Sequence, residues 1–203
     1  MANTVPVILA SGSAARKTMM QAAGLTFDVV PADIDEDAIR AAMMLDSGSV
    51  EAADVASVLA MEKALLVSRA YPKALVIGSD QVLALGRRHF TKAATEADAR
   101  EILATLRGHT HELVSAVALA QGGEIVWQAF DSAQMTMRQF SDEYAGRYLN
   151  DAGDAALKSV GCYELEGFGV QLFEKIEGDY FTILGMPLLP LLAELRRRDV
   201  VMS

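Results

Sequence analysis

The stretch Leu9-Ala10-Ser11-Gly12-Ser13-Ala14-Ala15-Arg16 separates a strand from a helix. The apolar residues 5–9 predict a buried strand, and the amphipathic residues after Ser13 predict a helix that ends near Gly24. Ser13 is of a residue type preferred at a helix N-cap, where several backbone N–H groups lack partners. These N–H groups, the hydroxyls of Ser11 and Ser13, and Arg16 together favour an anion. The stretch therefore predicts a site for a phosphate-bearing ligand.

The composition is that of an ordinary globular protein. The chain has 203 residues, of which 52% are hydrophobic and 22% are charged. This length suffices for one large domain or for two lobes that share a core. We find no repeat, low-complexity stretch or linker, so we expect one domain over residues 1–203 with two lobes.

The charge balance and the cysteine content bear on partners and location. A net charge of −9 argues against non-specific binding to nucleic acid or to an anionic membrane, but permits a small anionic ligand in a local basic pocket. No stretch approaches the ~20 apolar residues of a membrane span, and the first residues lack the basic region of a signal peptide. Cys162 is the one cysteine, so no intrachain disulfide forms. We therefore expect a cytoplasmic protein.

Apolar periodicity predicts helices that alternate with strands. Helices are predicted at residues 54–70, 95–106, 141–149 and 187–198, and strands at residues 27–31, 75–77, 111–120, 124–137 and 171–176. Thr95 and Asp98 form a capping-box pattern, and Gly122-Gly123 predicts a hairpin. Residues 161–169 are rich in glycine and predict a loop. The alternation together with the hairpin predicts an α/β fold with a mixed sheet and flanking helices.

Polar groups follow three of the predicted strands. In chain order they are Ser11 and Ser13 with Arg16, then Glu36, then Asp80 after the strand at residues 75–77. A carboxylate directly after a strand is firmly held and is suited to bind a metal ion or to accept a proton. The alternatives are a turn-forming role for Asp80 and a solvated surface for the acidic run that contains Glu36.

Two lysines are candidates for binding phosphate. Lys63 lies in the helix predicted at residues 54–70, and Lys92 follows Phe90-Thr91. Together with Arg16 they would supply positive charge to a polyphosphate. The alternative is that both lysines are ordinary solvent-facing residues, because spacing along the chain does not show that they converge.

Other catalytic chemistries lack their motifs. The chain has no nucleophile elbow, no Walker lysine loop and no dinucleotide fingerprint. His109 and His111 would face the same side of a strand, but no further ligands complete a zinc site. Cys162 has no basic neighbour except Lys158, which argues against a catalytic thiolate.

The order of these motifs resembles the Maf family of nucleotide pyrophosphatases, and the resemblance covers nearly the whole chain. No single motif is decisive, but together they occur in the same order. The matching stretches are Leu9-Ala10-Ser11-Gly12-Ser13 with Arg16, Asp33-Ile34-Asp35-Glu36, Glu62-Lys63-Ala64, Ile77-Gly78-Ser79-Asp80, Lys92, Glu166-Gly167-Phe168-Gly169, Ile176-Glu177-Gly178-Asp179-Tyr180 and Leu184-Gly185-Met186-Pro187-Leu188.

The resemblance implies both a fold and an activity. The fold is α/β with two lobes around a deep cleft, similar to that of the inosine triphosphate pyrophosphatases. The activity is hydrolysis of a nucleoside triphosphate to monophosphate and pyrophosphate with a divalent cation, Mg²⁺ or Mn²⁺, which carboxylates suit. Its catalytic set is Asp80, Glu36 and Lys63, with Asp80 as proton acceptor and both Glu36 and Asp80 as metal ligands. The substrate is bound by Ser11, Ser13, Arg16, Lys63 and Lys92.

Three positions bear on the base that is recognised. Gln81 and Glu166 are similar to the branch of the family that acts on 7-methyl-GTP, and a carboxylate matches the adjacent N1–H and N2–H donors of guanine. Ala15 departs from that branch, which carries an aromatic residue suited to stacking on a cationic base. The resemblance thus implies a guanine-like substrate, with 7-methyl-GTP or a related modified nucleotide first.

Two other functions stay open at this point. One keeps the chemistry and changes the substrate to dTTP or UTP, although Gln81 and Glu166 count against it. The other is a nucleotide-binding regulator of septum formation that acts through a partner, a role that the family's name suggests. A homodimer is an expectation from the family alone.

Overall fold

The structure, a computed structural model, describes residues 5–47 and 50–202. In these ranges it contains one seven-stranded sheet. The strands are β1 (Val7–Leu9), β2 (Asp28–Val29), β3 (Leu75–Leu85), β4 (Arg88–Phe90), β5 (Thr110–Gln121), β6 (Glu124–Met137) and β7 (Phe173–Glu177). The order across the sheet is β2-β1-β3-β5-β6-β7, with β4 paired to β3. β1 is parallel to β2 and β3 and the other pairs are antiparallel, so the predicted mixed sheet is confirmed.

Helices flank this sheet. They are α1 (Ala14–Ala22), α2 (Glu36–Ser47), α3 (Ala52–Ala70), α4 (Glu96–Leu106), α5 (Asp142–Ala152), α6 (Asp154–Lys158), α7 (Tyr180–Ile183) and α8 (Leu188–Arg197). The predicted caps are confirmed: Ser13 caps α1, and Thr95 and Asp98 form the capping box of α4. Ser141, the first residue of the helix predicted at residues 141–149, caps α5. The predicted hairpin is also confirmed, since β5 and β6 pair around Gly122-Gly123.

Several predicted boundaries were wrong. The second strand has two residues instead of residues 27–31, and the last strand begins at Phe173 because residues 168–172 form a 3₁₀ turn. Residues 161–169, predicted as a loop, hold parts of two such turns. α2 was not predicted, because the acidic residues Glu36 and Asp37 of its first turn lie in a run of acids that is also typical of a solvated surface.

The largest correction concerns residues 75–85. The polar residues Gly78-Ser79-Asp80-Gln81 predicted the end of a strand, yet β3 continues through them to Leu85. Their polar atoms are satisfied by distant partners: Ser79 Oγ donates to the carbonyl of Ala116 at 2.8 Å, and Asp80 accepts from Lys63. A strand can carry polar residues in its interior when such bonds replace those to water.

The two faces of the sheet are covered differently. α3 packs on one face, where Val76, Val82 and Val114 are buried against Val55 and Leu59. On the other face α1 and α8 cover the start of β3, and α4 and α5 cover its end. Between these two apolar clusters β3 presents Ser79 and Gln81 to the second face, and Asp80 to α3, because side chains alternate along a strand. The polar centre of β3 therefore marks the functional region.

Gly78 determines how closely α3 approaches the sheet. A Cβ atom at Gly78 would clash with the carbonyl oxygen of Ala60 and would lie 2.7 Å from the amide nitrogen of Ala64. Backbone contact of this kind is possible only where a strand carries no side chain. Lys63 adjoins Ala64, and Asp80 is the next residue after Gly78 on the same face, so this contact brings the two charged residues together.

The histidines and the cysteine lie outside that region. His109 is exposed and precedes β5, whereas His111 is buried with Nε2 at 2.7 Å from the Tyr163 hydroxyl, so the prediction that both share one side of a strand was wrong. Burial lowers the pKa of His111 to about 4 and raises the pKa of Cys162 to about 11. At neutral pH the imidazole is uncharged and Cys162 is a thiol, which accords with structural roles.

None of the helices in residues 5–47 and 50–202 combines the length and the apolar character that crossing a bilayer requires.

Candidate active site

A cleft of about 1000 Å³ opens at the polar centre of β3. It brings together all the residues that the sequence analysis assigned to the site, although they come from six separate segments of the chain. They are Ser11, Ser13, Ala15, Arg16, Glu36, Lys63, Asp80, Gln81, Lys92 and Glu166.

Lys63 joins the two candidate catalytic carboxylates. Its Nζ atom donates to Oδ1 of Asp80 and to Oε1 of Glu36, each at 2.6 Å. Lys63 and Asp80 are only 8% and 5% exposed. A buried ammonium group is tolerated when carboxylates surround it, so the solvent-facing alternative for Lys63 was wrong.

Glu36 reaches this cluster from the first turn of α2. The helix starts here because Asp35 Oδ1 accepts a hydrogen bond from the Ala38 amide at 2.9 Å, as an N-cap does. Burial alone raises the pKa of Glu36, but the hydrogen bond from Lys63 and the charges of Lys63, Arg40 and Lys92 outweigh it and hold the pKa below its usual value. Glu36 is therefore ionised at neutral pH. Its acidic neighbours Asp33, Asp35 and Asp37 are exposed, as the surface alternative expects, but Glu36 itself is paired to Lys63 although its side chain is 43% exposed.

Arg16 fixes the loop between β1 and α1. Its Nε donates to the carbonyl of Gly185 at 2.8 Å, and its Nη1 donates to the carbonyl of Ser79 at 2.9 Å and to Ser11 Oγ at 3.1 Å. Burial lowers the pKa of Arg16, while Asp80 and Glu36 oppose that effect, and an arginine stays charged in any case. Arg16 thus positions Ser11, whose hydroxyl proton is still able to reach a ligand.

Gln81 holds the segment that follows β7. Its amide nitrogen carries two hydrogens and lies within hydrogen-bond distance of three acceptors: the carbonyls of Thr182 and Ile183, at 3.2 and 2.9 Å, and Ser115 Oγ, at 3.1 Å. Ser79 Oγ, which donates to Ala116, also lies 3.0 Å from the carbonyl oxygen of Gly185 and shares its one proton between the two carbonyls. The donors of Gln81 therefore hold the wall of the cleft. Only the oxygen of its side-chain amide is free to accept a hydrogen bond from a nucleotide base.

The remaining predicted residues line the cleft with less burial. Lys92 and Glu166 are exposed, and Ala15 is half-buried. Lys92 is close enough to act on the pKa of Glu36. Because the side chain of Glu166 is exposed, a hydrogen bond from a base to its carboxylate discriminates less between bases than a buried one would.

Sequence reasoning missed two cations in the cleft, Arg40 and Lys158. Arg40 Nη2 lies 3.5 Å from Asp80 Oδ2 and 3.9 Å from Glu36 Oε2. The spacing from Glu36 to Arg40 is the i,i+4 spacing of helical ion pairs, so recognising α2 would have revealed it. Lys158 is the last residue of α6, and no spacing or motif in the sequence indicates that it lies in the cleft.

The donor set is compatible with a hard divalent cation. Within residues 5–47 and 50–202 no three His, Cys, Asp or Glu side chains gather as metal ligands. Glu36 and Asp80, however, both contact one lysine nitrogen and so lie close together. Mg²⁺ is often held by only one or two carboxylates together with substrate phosphates and water. Two adjacent carboxylates in an open cleft fit that pattern.

Comparison with known proteins assigns the chain to a family. A nucleoside triphosphate pyrophosphatase of Bradyrhizobium diazoefficiens is 53% identical over 196 residues, covering 97% of this chain and 95% of the relative. Proteins named 7-methyl-GTP pyrophosphatase from Mesorhizobium japonicum and Rhizobium etli are 53% and 50% identical; the alignments cover 95% and 98% of this chain, and 96% and 98% of those proteins. The family model described as Maf-like protein matches residues 6–198. The chain therefore belongs to the Maf family.

Proposed function

We propose that the cleft hydrolyses a nucleoside triphosphate to a monophosphate and pyrophosphate, with 7-methyl-GTP or a related modified nucleotide as the substrate. The Maf family membership and the names of the relatives support this hydrolase activity. The observation that carries the proposal is the ion-paired cluster of the buried Asp80 and Lys63 with the half-exposed Glu36, inside a cleft large enough for a nucleotide. Removal of such nucleotides from the pool would be its purpose.

Asp80 is the proposed proton acceptor. A water molecule attacks the α-phosphorus, Asp80 takes its proton, and the electron pair of the broken bond between the α-phosphorus and the bridging oxygen leaves with pyrophosphate. Lys63 fixes the Asp80 carboxylate through its 2.6 Å bond and offsets charge that develops on the phosphates.

The phosphates would be bound around this centre. Lys92 offers an exposed ammonium group, and the hydroxyls of Ser11 and Ser13 lie at the N-terminus of α1. Arg16 keeps that loop in place through its bonds to Ser79 and Gly185.

A divalent cation, Mg²⁺ or Mn²⁺, is part of the proposal. Glu36 and Asp80 would hold it, because their oxygens suit hard cations. When bound, such an ion neutralises phosphate charge and helps to orient the substrate.

Glu166 is the proposed reader of the base. Replacing it in the Glu166→Gln variant should lower the ratio of kcat/KM for 7-methyl-GTP over that for UTP by about tenfold, because one exposed charge-assisted hydrogen bond is lost. The measurement is product chromatography with both nucleotides. Glu174→Gln, an exposed glutamate on β7, is the matched control. An unchanged ratio in Glu166→Gln would remove Glu166 from base recognition.

The alternatives have less support. A preference for dTTP or UTP requires the carboxylate of Glu166, which only accepts hydrogen bonds, to pair with a uracil or thymine edge whose single N–H donor lies between two acceptors, and the two match poorly. The role of a nucleotide-binding regulator of cell division finds no support in the relatives, whose names are those of enzymes. A cytoplasmic location and a homodimer are further parts of the proposal, as are the absence of a nucleic-acid partner and of a membrane partner.

A further inference from the structure

Arg40 is the arginine of the cleft that has a buried nitrogen, Nη1, without an acceptor in the part of the chain that the structure describes. Its side chain is 19% exposed, and its Nη1 atom is buried without a hydrogen-bond partner among the described residues. Arg16, by contrast, has its Nε and Nη1 atoms engaged by Gly185, Ser79 and Ser11. A buried guanidinium nitrogen without an acceptor is unusual, because most buried donors are satisfied. The difference identifies Nη1 of Arg40 as a hydrogen-bond donor that lacks an acceptor within the described ranges.

The ion pairs of Arg40 are long. Its Nη2 atom lies 3.5 Å from Asp80 and 3.9 Å from Glu36, whereas Lys63 lies 2.6 Å from each of them. Lys63 is thus the main partner of both carboxylates, and Arg40 contributes at the outer limit of an ion pair. Such contacts are weak enough for the guanidinium to exchange them for a better acceptor.

The position of Arg40 determines which acceptor it can meet. It stands beside Asp80, the proposed proton acceptor, and therefore beside the reacting phosphate rather than the base. A planar guanidinium fits two phosphate oxygens at once, and the leaving pyrophosphate is where negative charge develops. Arg40 lies on α2 and its side chain lines the cleft, where a phosphate of the substrate would bind.

We propose that Arg40 is a further substrate-binding residue that donates to non-bridging oxygens of the pyrophosphate leaving group. This inference rests on the proposed function, and it adds to that function a residue that lies outside the motifs of the family resemblance. Arg40 then leaves Asp80 and Glu36 to Lys63 when the substrate binds.

The test measures binding separately from turnover. Affinities for inorganic pyrophosphate and for GMP are determined by calorimetry with Mg²⁺ present, for the wild type, Arg40→Gln and Arg40→Lys. We expect Arg40→Gln to bind pyrophosphate about tenfold to a hundredfold more weakly, as the loss of a charge-assisted pair implies, with GMP affinity unchanged within twofold. Arg40→Lys should recover only part of the loss, because lysine lacks the fork of donors.

Arg100 provides the matched control for Arg40. Arg100→Gln removes an exposed arginine with the same i,i+4 pairing, to Glu96, and should leave both affinities unchanged. Unchanged pyrophosphate affinity in Arg40→Gln, or a loss confined to GMP, would overturn the inference. If Arg40→Gln does not fold, equal pyrophosphate affinity in Arg40→Lys and the wild type would overturn it as well. Failure of the wild type to hydrolyse any triphosphate would count against the proposed function alone, since pyrophosphate binding is measured independently.

Discussion

Asp80→Asn should lower kcat by about a hundredfold to ten-thousandfold, the usual contribution of a general base. The amide that replaces the carboxylate keeps its shape but cannot accept the proton of the attacking water. The measurement is the rate of pyrophosphate release at saturating triphosphate, with the free energy of unfolding determined on the same sample.

The Asp80→Asn variant should remain folded. Lys63 keeps Glu36 as its partner at 2.6 Å, so the buried ammonium group is not left without a carboxylate. We expect the free energy of unfolding to fall by about 1–3 kcal/mol, because one buried charged bond becomes a neutral one. Asp151→Asn, an exposed aspartate on α5, serves as the control for both quantities. A rate within threefold of the wild type would mean that Asp80 is not the base.

Gly78→Ala should destabilise the protein by about 3 kcal/mol or more, because overpacking against backbone leaves no flexible side chain to move. The added methyl group would meet the carbonyl of Ala60, and it would lie 2.7 Å from the amide nitrogen of Ala64 and 2.9 Å from its Cβ. α3 must therefore shift away from β3, and Lys63 moves with it. Activity should fall along with stability in any fraction that folds, since Lys63 would no longer reach Asp80.

A second glycine separates this effect from backbone strain. Gly24 has a φ of +78°, and a Cβ atom there would meet nothing within 4 Å. Gly24→Ala should cost only the strain of the left-handed conformation, about 1–2 kcal/mol, and should leave kcat unchanged. Thermal denaturation and pyrophosphate release are measured for both variants. Gly78→Ala with wild-type stability would show that the close approach of α3 does not matter.

The parts of the fold that local patterns determine were predicted correctly. The Ser13 cap, the capping box at Thr95 and the hairpin at Gly122-Gly123 each depend on residues within a few positions of one another. The mixed sheet followed from this local information, because a hairpin between alternating helices and strands requires antiparallel pairs.

The site required information that local patterns do not contain. The polar residues at the centre of β3 look like the end of a strand, since their partners Lys63, Ala116 and Thr182 lie at least 17 positions away in sequence. The spacing of Lys63 and Glu36 along the chain does not predict that the two side chains are in contact. The resemblance to a family identified both as site residues. Arg40 was missed because the acidic residues at the start of α2 are not specific for a helix. Without that helix, the i,i+4 spacing from Glu36 to Arg40 has no structural meaning.

In the most direct measurement, the purified protein is incubated in the presence of Mg²⁺ with each of five nucleotides in turn: 7-methyl-GTP, GTP, UTP, dTTP and CTP. The products are identified by chromatography. Our account predicts monophosphate and pyrophosphate, formed fastest from 7-methyl-GTP. The same products formed fastest from UTP or dTTP would contradict the role given to Glu166 and leave the chemistry of Asp80 intact. No hydrolysis of any of the five triphosphates would contradict the proposal that this cleft is a pyrophosphatase site.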